Sequence, residues 1–199
     1  MQVTYTEKTG KTKIRVELDN GDSFIMNERD WSRLGLKTGE CVDESWLWEF
    51  YRDYFLPKAK QKALNLLKMR DRSRLELEQK LRYDGYPVPV IRETFAYIDQ
   101  YHYLDDCRFA KNYIEYRRHK KSRRELEYEL SLKGIRLGEL VDDEDALPDD
   151  QETIRNLILK KWGEEPAPDM KEKERMMRYL GRHGFHMSDI RKVYRDLGI

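Results

Sequence analysis

Ser73-Arg74-Leu75-Glu76-Leu77 leads through Leu81 to Gly85-Tyr86, and the same succession returns as Ser122-Arg123-Arg124-Glu125-Leu126, Leu130 and Gly134-Ile135. A weaker copy runs from Met176 through Leu180 to Gly184-Phe185. The glycines stand 49 and 50 residues apart. A fixed period of this size marks a tandem array of one supersecondary unit. Function is therefore sought on an extended surface before a single pocket.

Each copy reads as a capped helix with a defined stop. Ser73 with Glu76 forms a capping box, and Ser122 with Glu125 repeats it. Leu77 and Leu81, like Leu126 and Leu130, lie four apart and stack on one helical face. Gly85, Gly134 and Gly184 sit where a left-handed residue ends a helix, each followed by an apolar residue that folds back on it. In the first copy, helices are expected over residues 59–70, 74–84 and 89–101, with Pro89 at the first position of the last. The third copy has Glu172 and Arg175 in place of the box residues. There Asp169 with Glu172 is expected to cap one turn earlier, and Ser188 to cap the last helix.

Upstream, the period changes. Val3-Thr4-Tyr5-Thr6, Ile14-Arg15-Val16-Glu17-Leu18 and Ser23-Phe24-Ile25-Met26 alternate in character, with turns at Thr9-Gly10 and Asn20-Gly21. Helices over residues 28–34 and 43–55 follow, the second rich in aromatics expected to be core. The fold class is mainly α: tandem three-helix repeats in an elongated array, preceded by a small N-terminal antiparallel β meander. The expected segments are residues 1–56, 57–104, 105–148 and 149–199.

Among 199 residues, 39% are charged and 39% hydrophobic, with 4 Trp, 13 Tyr and 6 Phe. That is too aromatic and periodic for a disordered chain. No run has the length of a membrane span, and there is no N-terminal apolar signal region, so a cytoplasmic protein is expected. Cys41 and Cys107 give neither a disulfide framework nor a zinc site. The net charge of +1 conceals a basic centre: residues 57–141 carry 20 Lys/Arg against 13 Asp/Glu, while both ends are acidic. This asymmetry suits a polyanion or a partner with an acidic groove.

The candidate binding site is the run Arg117-Arg118-His119-Lys120-Lys121-Ser122-Arg123-Arg124 at a helix junction, with Arg70, Arg72 and Arg74 at the equivalent junction of the first copy. Arg82, Lys133 and Arg136 are secondary candidates. Two like-placed basic junctions meet phosphates at successive points; the competing reading is a solvated face with charge compensation at helix ends. Asp105-Asp106 invites a two-metal nuclease reading, but an acidic pair between two helices fits capping better. Tyr113, Tyr116, Tyr128 and Trp162 offer faces for base stacking, against a core role. The acidic residues 142–145, with Asp149-Asp150, read as a solvated helix start or loop. The four histidines lack ligand spacing, and no phosphate loop or nucleophile motif occurs. No cofactor or metal, and no enzymatic activity, is expected.

The combination of Ser-Arg-x-Glu-Leu, Gly85-Tyr86, Tyr103-Leu104-Asp105-Asp106 followed by Phe109-Ala110, the basic junction and Lys133-Gly134-Ile135 resembles the RecX family of recombination regulators. The likeness is densest over residues 60–136. It implies tandem three-helix modules in a monomer that lodges along the filament of RecA, the recombinase that polymerises on single-stranded DNA, and commonly inhibits it. Single-stranded DNA is then an expected partner, with double-stranded DNA left open. The alternative is a sequence-specific DNA-binding regulator, favoured by Arg191, Lys192 and Arg195 on the last helix but not by the first repeat's third helix, where Arg92 is the only Arg or Lys against Glu93 and Asp99.

Overall fold

The computed structural model describes residues 1–140 and 147–199. The acidic run at 142–145 lies outside the described residues. The chain divides into two compact units, Met1–Asp105 and Asp106–Ile199.

The first unit opens with the expected meander: β1 (Val3–Lys8), β2 (Lys13–Leu18) and β3 (Ser23–Asn27) in an antiparallel sheet of that order. Alternation buries Ile14, Val16 and Leu18 on one face with Phe24 and Met26. Helix α1 (Glu28–Leu34) is capped by Asn27, whose side chain accepts from Arg29 N–H, and it contributes Trp31 to the same core.

Sequence places a helix end near Phe55 and a new start near Ala59. The structure joins them. Helix α2 (Glu44–Phe50) passes through a π-helical stretch, Tyr51–Phe55, straight into α3 (Leu56–Met69). Pro57 lacks an N–H and crowds the carbonyl four residues back, so a locally wider helix accommodates it without a break. The widened turn also aims Tyr51 and Phe55 at Phe24, with ring centroids 5.6 and 5.3 Å away.

Helices α3, α4 (Arg74–Tyr83) and α5 (Val88–Gln100) form a triplet around Ala63, Leu66, Leu77, Leu81, Ile91, Phe95 and Ile98. The capping box is present: Ser73 Oγ accepts from Glu76 N–H at 3.2 Å, and Glu76 accepts from Ser73 N–H at 3.4 Å. Pro89 falls at the second position of α5, one later than expected. At the end of α4, Tyr86 N–H reaches back to Leu81 C=O while Gly85 takes φ +87°. Gly85 is also where the triplet meets the sheet, since its carbonyl accepts from Ile25 N–H at 2.8 Å.

The second unit holds two triplets. One comprises α6 (Asp106–Arg117), α7 (Arg123–Leu132) and the short α8 (Leu137–Leu140) around Phe109, Ile114, Leu126, Leu130 and Ile135. The other comprises α9 (Asp150–Trp162), α10 (Met170–Arg182) and α11 (Met187–Asp196) around Ile154, Ile158, Met176, Leu180, Phe185 and Ile190. Asp149 caps α9 and Asp169 caps α10, the latter accepting from Glu172 N–H at 2.8 Å as expected. Ser188 is not a cap. Helix α11 begins at Met187 after an extended His186, because Phe185 is buried and fixes the helix start in the register used by Tyr86-Pro87-Val88.

A Cβ on Gly85 would stand 2.4 Å from Ile25 Cβ, whereas one on Gly10 meets open space. Gly85→Ala combines a left-handed φ with a clash against Ile25 at the β3 edge and should cost about 3 kcal/mol or more. Gly10→Ala should cost only the backbone strain, about 1 kcal/mol. Urea unfolding of both variants checks this order.

Candidate nucleic-acid interface

The basic run of residues 117–124 spans the last turn of α6, a tight turn closed by Lys120 N–H to Arg117 C=O at 2.9 Å, and the first turn of α7. The third triplet holds this turn from below. Arg118 C=O accepts from Thr153 Oγ1 at 3.1 Å, and Arg123 N–H donates to Asp150 at 2.8 Å. Ser122, fully buried, accepts from Glu125 N–H at 3.1 Å and donates to His183 C=O at 2.7 Å. The expected second capping box is therefore half made. Glu125 does not return to Ser122 N–H; its carboxylate is engaged by Lys121 at 3.0 Å and His183 Nδ1 at 3.3 Å. Inter-triplet packing has taken the side chain that the local motif would use.

The twelve candidate cations sort by their partners. Arg117 lies over the Tyr113 ring, its guanidinium carbon 3.9 Å from the centroid, and Lys133 approaches the same ring at 5.4 Å. Lys121 is held by both Glu125 and Glu129. Arg118 pairs with Glu115 at 3.2 Å, Arg123 with Glu127 at 3.0 Å and Arg82 with Glu78 at 2.8 Å. Arg74 pairs with Asp99 and lies over Phe95. Arg72 is half-buried, and its Nε has no hydrogen-bond partner among the described residues. Arg136 is exposed just beyond the buried Ile135. That leaves Arg70, Lys120 and Arg124, all exposed and without a carboxylate partner among the described residues.

Helix-end compensation explains only some of this. Arg70 and Arg117 stand at helix C-termini, where a cation is favoured. Arg74, Arg123 and Arg124 stand in the first turns of α4 and α7, where the dipole opposes them. Their placement costs stability and calls for another reason.

Two of the four candidate stacking rings are on the surface, contrary to a core role: Tyr116 is 84% and Tyr128 63% exposed. Tyr113 is half-buried and donates to Glu129 at 3.0 Å, and Trp162 packs against the third triplet's core. Asp106 opens α6, and among the described residues no three metal-ligating side chains converge.

The acidic C-terminal segment contains a basic stretch. Residues 170–196 carry 8 Lys/Arg against 4 Asp/Glu, although the segment 142–199 as a whole is acidic. Helical spacing would have found it: Arg175, Arg178 and Arg182 recur at one face of α10.

The matches to known proteins agree with this geometry. Residues 59–97 match the family model for the first three-helix domain of RecX, and residues 149–194 match that for the third. The regulatory protein RecX of Serratia proteamaculans (strain 568) is 32% identical, the match covering 68% of this chain and 95% of that protein. This chain belongs to the RecX family. The regulatory protein RecX of Clostridium acetobutylicum, 27% identical, extends the likeness to 96% of the chain and so includes the N-terminal sheet. The fold is also that of a RecX crystal structure, with TM-score 0.58 at 18% identity over 99% of this chain and 98% of that one.

Burial opposes ionisation of Glu129, but hydrogen bonds from Lys121 and Tyr113 outweigh it and hold the carboxyl below its ordinary 4.5. Burial likewise disfavours the Lys121 ammonium, and its hydrogen bonds to the Glu129 and Glu125 carboxylates overcome it and raise its pKa. Glu129 therefore contributes stability above pH 4.5 that is lost as pH falls through its depressed pKa. Glu129→Gln should lower unfolding free energy at pH 7 by about 1 kcal/mol, and the gap to wild type should close in acid. Unfolding curves between pH 3 and 7 test this. Ser122→Ala removes a cap and leaves His183 C=O unpaired, at a cost of about 2 kcal/mol. Ser188→Ala should change stability by less than about 0.5 kcal/mol in the same assay.

Proposed function

We propose that the protein binds the RecA–single-stranded DNA filament and restrains its recombinase, ATPase and coprotease activities while catalysing nothing itself. The triplets at 57–104, 105–148 and 149–199 act as binding modules that share one chain, so that weak contacts add through effective concentration. The observation that carries this reading is the cluster at the α6–α7 turn. Lys120 and Arg124 face solvent without carboxylate partners, on a turn pinned by Thr153, Asp150 and His183. A pinned turn presents its charges with little ordering cost on binding. Arg70 and Arg72 serve the same purpose at the first triplet's junction.

The paired cations have a different role. Lys121 and Arg123 are balanced by neighbouring glutamates and hold the turn in shape. Lys120 and Arg124 make the intermolecular contact.

An ATPase time course of RecA on single-stranded DNA, with the protein added mid-reaction, should show a prompt fall in rate. Lys120→Glu with Arg124→Glu should raise the concentration needed for half-inhibition by about tenfold and flatten its salt dependence, with helicity unchanged. Equal inhibition by this variant at two salt concentrations would remove the turn from the interface.

A further inference from the structure

Helices α10 and α11 enclose an open groove at which Arg175, Arg178, Arg182 and Arg191 converge, with Met177 and Met187 supplying apolar surface. All four arginines are exposed, and none forms an ion pair or hydrogen bond with another described residue. Among the described residues, Glu174 is the one carboxylate lining the groove. This contrasts with the α6–α7 turn, where glutamates balance Arg118, Lys121 and Arg123. Like charges three and four residues apart on a helix repel, and Glu172, three before Arg175, and Glu174, four before Arg178, offset the row on α10 only in part. Arg175 and Arg182 also border a second groove on the other side of α10, with Lys160 and Lys161.

We propose that the α10–α11 groove seats the backbone of single-stranded nucleic acid. Arg175, Arg178 and Arg182 lie on one stripe that spans about 10 Å of helix axis, the length of about three stacked nucleotide steps. Their guanidiniums meet successive phosphates, and Arg191 closes the groove from α11. The methionines offer polarizable apolar contact to sugars and bases without selecting sequence. Gly181 lines the groove and faces open space, since a Cβ there would touch nothing within 4 Å. The occupant is a single strand because Met177 and Met187 present apolar surface beside the arginines, and only unpaired bases are free to lie against it. An acidic protein segment has the charge but lacks the regular spacing that the stripe matches.

The site does not depend on the filament reading, because it is tested without recombinase. Fluorescence anisotropy of a labelled oligothymidylate is measured across a salt series for wild type, for Arg178→Gln/Arg182→Gln and for Lys120→Gln/Arg124→Gln. The arginines lie outside the Met176–Leu180 core face, and circular dichroism confirms that the helix is kept. The groove variant should bind about tenfold more weakly at low salt, with the slope of log K against log salt reduced by about 1.4, or 0.7 per lost phosphate contact. A duplex of equal length should bind less tightly and lose less. Unchanged affinity and slope for the groove variant would overturn the site, as would a loss confined to the Lys120/Arg124 variant. A duplex that loses as much as the single strand, or a polyglutamate peptide that competes equally at matched charge, would overturn the assigned occupant.

Discussion

The left-handed glycine turn, and what is pressed against it, organises this protein. In each triplet a helix stops, the following apolar residue folds back, and the next helix starts in a fixed register. What differs is the neighbour. Gly85 is closed by the edge of β3, with its carbonyl in a hydrogen bond to Ile25. Gly184 is closed by the buried Ser122 hydroxyl, where a Cβ would come within 2.7 Å. A side chain at either position would separate one layer from the next, so the same absent atom ends the helix and admits the adjoining element.

That contact also connects fold to function. Ser122 caps α7 and binds His183, so the turn bearing Lys120 and Arg124 has its shape set by the third triplet as well as its own. The surrounding charges divide the work. Lys121 is held between Glu125 and Glu129 in a half-buried setting, where an unpaired member would be costly. The cations left in water carry no such obligation. Arg124 stands in the first turn of α7, against its dipole, where structural selection alone would not place it.

Much of this was legible in the residues. The strands, the glycine stops, the Ser73 box, the Asp169 cap and the three helical triplets follow from local chemistry that nothing else overrides. The misses arise where packing overrides a local preference. Glu125 had a backbone amide within reach and took Lys121 and His183. Ser188 suited a cap, but burial of Phe185 set the helix start earlier. The binding candidates were visible as charge, yet only coordinates separate Lys121, held between carboxylates, from Lys120 beside it. Averaging charge over the C-terminal segment concealed the arginine stripe of α10 entirely.

The π-helical stretch at Tyr51–Phe55 has a mechanical consequence. By widening around Pro57 instead of breaking, it leaves one continuous rod from Glu44 to Met69, about 39 Å long. Its front half is buried in the sheet's aromatic cluster and its rear half in the first triplet. A force applied to the sheet is therefore transmitted to Arg70 by a stiff lever, not absorbed by a flexible tether, and whatever grips one end steers the other.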